Sequence, residues 1–448
     1  MPLVRPFRGI EYALDRYATP QIPPRVRLSD EPDPAPGRRL ADLTDLACPP
    51  YDVIGPDEQA ALLARNPHNA VRLELNPDPD PHGAAATALA AWLQEGVLER
   101  RADPSVYYYA HATPAQPDEP TVQGVLARVL LEPFGGDVRA HEHTLSGPKA
   151  DRLAHLHATR TQISPILAVY FDRSERYRHL MSRPWADEWR ARDGDGLLHM
   201  VASVEPDDRL LGYLSRQRLY IADGHHRYET ALTYQAEVRS DPRWADAPAG
   251  SLAADWIMVV LVNAEMEELE VLATHRLILD ADADALRALP AEASPLWQAI
   301  PVAPDDLAMR LDQMRDAEEP VFGLVLPEGE GWLLVGDAEG IADRMRRERT
   351  STAVRRLDLA ILHAAILADE LGLDPGVVAG GGRLAYTRNE ADARHAVARG
   401  EAKAAVLVRP TRLDQLAEVA SVGDVMPQKS TYFYPKLLTG FVLNPLED

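Results

Sequence analysis

Apolar residues recur at helical spacing over residues 84–100 and, more briefly, over 57–65, which predicts a helix in each place. Three runs rich in β-formers follow: Val106-Tyr107-Tyr108-Tyr109, Val122 to Leu131 and Ile166 to Phe171. The first two are expected to pair through the Pro-rich turn between them. Leu219-Tyr220-Ile221-Ala222 is a short apolar strand that ends at Asp223-Gly224, with a helix expected from about residue 226 to 238. Trp256 to Asn263 and Leu269 to Leu279 look like two strands paired around the acidic turn at 264–268.

Beyond residue 280 the texture changes to Ala-rich helical stretches alternating with short apolar strands, as far as residue 346. A helix is expected over 353–371, a flexible joint at Gly380-Gly381-Gly382, and helix then strand over 386–407. Residues 1–60 read as irregular chain, with Pro23-Pro24 and Pro32-Asp33-Pro34-Ala35-Pro36-Gly37 as turns. Cys48-Pro49-Pro50-Tyr51-Asp52-Val53 is expected to be extended, because a residue before proline is pushed out of the helical region. The fold class this implies is α/β in the mixed α+β sense. Its expected division is a core over 1–280, Pro-rich at its amino-terminal end, and a carboxy-terminal α/β lobe over 281–448 that closes over the site.

Composition narrows the function classes. With 46% hydrophobic and 26% charged residues among 448, an ordinary globular core is available. A net charge of −22 with no long basic run argues against nucleic acid, whose phosphates are neutralised by Lys and Arg. A few clustered cations can still hold a small anion. The single cysteine, Cys48, excludes an intramolecular disulfide framework. No apolar run approaches the ~20 residues of a membrane span, and no charged-then-apolar amino-terminal pattern marks a signal peptide. A cytoplasmic protein with no membrane partner is the expectation.

The chemistry concentrates in Asp223-Gly224-His225-His226-Arg227. A strand ending at Gly224 can turn tightly and let the backbone come close to a ligand. The amides and dipole of the helix that follows favour an anion. Arg227 offers a planar fork for phosphate oxygens, and His225 and His226 add donors that can be charged or neutral near pH 7. Asp223 could hold a metal ion or orient a histidine. A plain Asp-Gly turn with two chance histidines is the competing reading.

The run Ile221-Ala222-Asp223-Gly224-His225-His226-Arg227-Tyr228-Glu229-Thr230-Ala231 resembles the second signature of the ParB and sulfiredoxin-like superfamily. Its Asp-Gly-His-X-Arg form looks more like the free-serine kinases than like the Gly-Glu-Arg-Arg version of ParB proteins. Arg5-Pro6-Phe7-Arg8, Pro50-Tyr51-Asp52-Val53, His141-Glu142-His143-Thr144, Thr274-His275-Arg276 and the run from Met426 to Lys436 resemble a bacterial and archaeal family catalogued as a domain of unknown function. That likeness covers nearly the whole chain. The serine-kinase likeness covers only the core. It implies a nucleotide-dependent phosphotransferase acting on a small hydroxyl compound, L-serine first, using Mg²⁺ with ATP or ADP. It also implies Glu142 as the base for the hydroxyl, and Asp223 and His225 as catalytic groups. Sulfiredoxin chemistry is set aside, since no cysteine stands in the loop.

Other residues extend the candidate site. On a helix Arg152 and His155 share a face that His157 cannot join, and Arg152 is a candidate phosphate ligand. His275 and Arg276, expected at a strand end, could contact donor phosphates. Lys429-Ser430-Thr431 echoes the end of a P-loop without its glycines, so it is not a Walker motif. The aromatic trio before Lys436 could close over a base or substrate. His141, His143, His225 and His226 could instead hold a transition metal, although Mg²⁺ with a nucleotide, resting partly on Asp223, asks for fewer protein ligands. A phosphatase or nucleotide hydrolase using the same loop, and a nucleotide-binding switch without small-molecule chemistry, remain the alternatives.

Overall fold

A computed structural model describes residues 2–17, 39–113, 121–142, 146–174, 176–181, 187–291, 295–374, 376–377 and 381–447. The Pro-rich turns at 23–24 and 32–37, together with His143, Thr144 and Gly380, lie outside the described residues. The chain forms two compact units. The first takes 1–140, 144–269 and 435–448, and the second takes 141–143 and 270–434. The architecture is mixed α/β in both.

The first unit is built on a ten-stranded mixed sheet. Its centre is Val122–Leu130, paired antiparallel with Val106–Ala112 and with Trp256–Asn263. Trp256–Asn263 continues in parallel to Ile166–Tyr170, which pairs antiparallel with Leu219–Asp223. Every residue of Trp256–Asn263 is buried, the pattern of a strand covered on both faces. One cover is the helix His225–Ser240, which sets Tyr228 and Ala231, three residues apart, into the same core as Val259 and Leu261. On the other side Leu437, Leu438 and Phe441 line a small cavity together with Val260 and Leu126. The chain's last strand, Val442–Pro445, joins a four-stranded sheet with Ile10–Tyr12, Leu98–Arg100 and Thr161–Gln162.

The second unit carries a six-stranded antiparallel sheet in the order Trp297–Pro301, Glu330–Gly336, Val321–Leu326, Ala404–Leu407, His275–Ile278, Leu384–Thr387. Leu307 and Leu311 from one helix, and Ala393 and Val397 from another, pack against it. A separate ribbon pairs Glu270–Leu272 with Tyr432–Tyr434.

Several sequence expectations need correction. Residues 256–263 and 269–279 do not form a hairpin: the first run is central in the large sheet, while the second splits into Glu270–Leu272 and His275–Ile278. The helix over 84–100 stops at Gln94, because Gly96 at φ 66° turns the chain into the strand Leu98–Arg100. The helix over 353–371 is broken. Leu357 leaves helical geometry (φ −74°, ψ 132°), and the segment Leu362–Ala368 is wound as a π-helix. Residues 386–407 read strand, helix, strand, and the irregular first sixty residues contain Val4–Arg5, Ile10–Tyr12 and Arg39–Asp42 as strands.

Candidate functional site

The strand Leu219–Asp223 slips register against its neighbour just before it ends: Ile221 faces Ala168, yet Asp223 faces Leu167. Such a bulge re-aims the residue that follows it. Gly224 then takes φ 95° and ψ 28°, and the helix His225–Ser240 begins at once. A Cβ at Gly224 would stand 2.6 Å from Ile166 Cγ2 and 2.9 Å from its Cβ, so the turn needs glycine for space as well as for φ. The cap residue lends the helix no side-chain acceptor, leaving its positive end for other groups. His225 is buried, while His226 and Arg227 are half-buried.

Asp223 is gripped by two cations. Lys436 donates to Oδ1, and Arg227 Nη2 donates to Oδ2 at 2.6 Å. Burial opposes ionisation of Asp223, but Lys436 and then Arg227 outweigh it and hold the carboxyl well below the usual range. Burial likewise opposes charge on Arg227, and Asp223 and Asp52 more than compensate, raising its pKa. The second arm of the guanidinium donates to the carbonyl of Pro165, locking helix to sheet.

Arg227 also lines an open cavity with about 460 Å³ of empty space, counted out to bulk solvent. The helix Ser146–Thr159 contributes Arg152 and His155, both buried, as their shared helical face predicts, while half of the His157 side chain is exposed. Arg152 is fixed on three sides. It bonds Asp151, its Nη1 donates to the carbonyl of Glu74 at 3.2 Å, and the Tyr51 ring lies 4.1 Å from its carbon. His155 Nε2 donates to the carbonyl of Leu73 at 2.7 Å, and burial, helped by Arg152, lowers its pKa. The cavity also presents Glu74, 2% exposed, and Thr230, whose Oγ1 has no partner among the described residues. Sequence reasoning passed over Glu74. Its one signal was a carboxylate set between the apolar residues Leu73 and Leu75, in a short helix that ends on it.

In the second unit a different set comes together. His141 Nε2 and Thr431 Oγ1 are 2.9 Å apart, Met426 N–H donates to the His141 carbonyl at 2.7 Å, and Lys429 N–H donates to Glu142 Oε1 at 3.2 Å. Arg276, wholly buried, donates to the carbonyls of Thr274, Gln428 (3.0 Å) and Lys429 (3.3 Å), which pins a loop where Lys429 has φ 56°. As placed, Arg276 is a loop anchor and not a surface cation. Ser430 is buried and donates to the Pro427 carbonyl, whereas Lys429 is exposed. His275 opens its strand instead of ending it. Its Nδ1 accepts the Val408 N–H at 3.2 Å, and burial lowers its pKa to about 4.

Among the described residues no group of three or more His, Cys, Asp or Glu is placed to hold a metal ion. His141 belongs to the second unit and His225 and His226 to the first, and His143 lies outside the described residues. Both Asp223 oxygens are already engaged by cations. That arrangement does not fit a metal resting on this carboxylate; an ion entering with a nucleotide would rest mainly on phosphate oxygens.

A family profile described as "Protein of unknown function (DUF1015)" matches residues 33–360. No curated protein matches the chain by sequence. Solved structures similar to it include a free serine kinase in complex with AMP, at 12% identity and TM-score 0.35, covering 66% of this chain and 83% of that one. SbnI with a carboxy-terminal truncation, from Staphylococcus aureus, shows 10% identity and TM-score 0.35, covering 70% and 85%. A conserved hypothetical protein from Pyrococcus furiosus shows 12% identity and TM-score 0.34, covering 67% and 89%. At that identity and TM-score they mark similarity and nothing more.

Proposed function

We propose that this chain, which belongs to the DUF1015 family of proteins of unknown function, is a nucleotide-dependent phosphotransferase acting on a small hydroxyl compound, with free L-serine the first candidate. The observation that carries the reading is the convergence of Arg227 and Lys436 on Asp223, where a left-handed glycine opens a sixteen-residue helix. Two cations and a helix amino terminus at one point form a receptor for phosphoryl oxygens. The Asp223 carboxylate holds the cations that a phosphate would share. The resemblance of residues 221–231 to the free-serine kinases supports the same direction.

In this reading Arg227, Lys436 and the backbone at 224–226 hold the donor phosphates, with His225 and His226 as further donors. Asp223 keeps the two cations in place. Phosphoryl transfer asks the protein mainly for positioning and charge compensation, which such a set supplies. Glu142 is assigned the acceptor side, taking the hydroxyl proton as the acceptor oxygen bonds the transferred phosphorus and the P–O bond to the nucleotide breaks, the shortened nucleotide leaving with that oxygen.

The test is direct. The full chain with ADP or ATP, Mg²⁺ and L-serine should yield O-phosphoserine, and Arg227→Ala should remove both turnover and the thermal shift produced by nucleotide. Glu142→Ala should stop turnover while leaving the nucleotide shift in place. Phosphate release that does not depend on any acceptor would replace this reading with a hydrolase. Nucleotide binding without turnover across a panel of small alcohols would replace it with a switch.

A further inference from the structure

Glu74 is the feature of the first unit that this reading leaves unexplained. It is 2% exposed and lines the cavity, yet among the described residues no Lys, Arg or His nitrogen lies in ion-pairing range of its carboxylate. Two neutral donors reach it, Tyr51 N–H at 3.3 Å and Ser164 Oγ at 3.1 Å, and both end on Oε1. Oε2 receives no hydrogen bond from the described residues. Unlike a sealed acceptor, Oε2 is not cut off from solvent, so it is open to a donor that enters the cavity. Thr230 Oγ1, which lines the same cavity, is buried and has no hydrogen-bond partner among the described residues. A ligand bearing neutral donors would answer both.

The rest of the wall says which donors. Arg227 belongs at once to this cavity and to the Asp223 grip, so the cavity runs alongside the helix from the point where phosphates are assigned. Leu156, Ile163, Ala231 and Ile257 give it apolar sides. Anion receptor, carboxylate acceptor and apolar wall is the set that a nucleoside phosphate needs, since a carboxylate accepting from a vicinal diol is a common means of holding a ribose.

We infer that the cavity takes the nucleoside of the donor, and that Glu74 selects ribonucleotides by accepting from the sugar hydroxyls through Oε2. This rests on the nucleotide reading above and adds to it a sugar-specificity residue. A free amine in place of the diol would make the cavity a cation site, and the experiment separates the two.

Binding of ADP, 2′-deoxy-ADP and 2′,3′-dideoxy-ADP to the full chain is measured by titration calorimetry. The expected result is a loss on the order of 10-fold or more from ADP to the dideoxy compound, because a site built around a hydroxyl rejects the analogue that lacks it. Glu74→Gln should weaken ADP and bring the ratio close to one. The wild-type ratio stands by itself if the buried variant folds poorly. Equal affinity for all three nucleotides overturns this inference while leaving the phosphotransferase reading intact. So does tight binding of a small primary amine that Glu74→Gln abolishes with nucleotide affinity unchanged. No binding by any of the three overturns both.

Discussion

Lys436 and Asp223 form an ion pair across 213 residues of sequence, and both side chains are largely withdrawn from solvent. Arg227, four residues from Asp223, closes the same carboxylate from the other side. One link is local and sequence-legible; the other exists only because the last stretch of chain returns to the first unit.

Removing the long-range partner tests that link. Lys436→Met keeps the stem and deletes the charge, leaving Arg227 as the single counter-ion of a largely buried carboxylate. Urea titration at pH 7 should show a loss of about 1–3 kcal/mol, less than for a fully orphaned charge because one cation remains. Nucleotide affinity should fall about tenfold, the size of one lost charge-assisted contact. No change in either quantity would make the pair incidental.

Acid should weaken the grip in a defined window. The folded Asp223 carboxyl lies well below its unfolded value of about 3.9. Between those two values the unfolded chain takes up a proton that the native protein refuses, so stability falls as pH falls. Asp223→Asn lacks this proton, so the stability gap between wild type and variant should be full above about pH 4 and shrink below it. A gap that stayed constant to pH 3 would contradict the assignment.

Glu11 predicts the opposite slope. Burial drives its carboxyl up to about 7, against the pull of Arg101 and the Tyr107 hydroxyl. The native state therefore holds a proton that the unfolded chain has released, and stability is lost as pH rises from the ordinary carboxylate value toward 7. One proton contributes about 1.4 kcal/mol per pH unit at most. Denaturation midpoints of wild type should fall relative to those of Glu11→Gln between pH 5 and 7, then run parallel above. Parallel behaviour throughout would place Glu11 in its charged form.

Gly224→Ala confronts both space and backbone. The methyl meets Ile166 well inside contact distance, at a φ of 95° that L-residues avoid. A loss of about 2–4 kcal/mol is expected from strain and overpacking together, along with loss of the nucleotide-induced thermal shift. A variant as stable as wild type would mean the turn can relax.

The loop was legible because everything that makes it is local: an apolar strand, one glycine, and a helix whose buried residues recur every third position. The face shared by Arg152 and His155 was legible for the same reason. Pairings set by distant chain were not. The run at 269–279 holds enough apolar residues to suggest one strand, but its halves answer to different partners, residues 432–434 and 404–407. Glu74 was passed over because a lone carboxylate in sequence carries no mark of burial. Only the fold shows that Tyr51 and Ser164, 23 and 90 residues away, supply its hydrogen bonds.

The return of residues 435–448 to the first unit has a bearing on biosynthesis. Chains emerge from the ribosome amino end first, and domains fold as units. Here the large sheet can gather its strands through Asn263, but Lys436 and the strand Val442–Pro445 arrive only after the whole second unit has been made. Asp223 thus meets its second counter-charge only after the second unit has been synthesised. A chain stopped before residue 436 would leave Asp223 with Arg227 alone as its counter-charge. Synthesis of the second unit thus precedes full charge compensation at the loop.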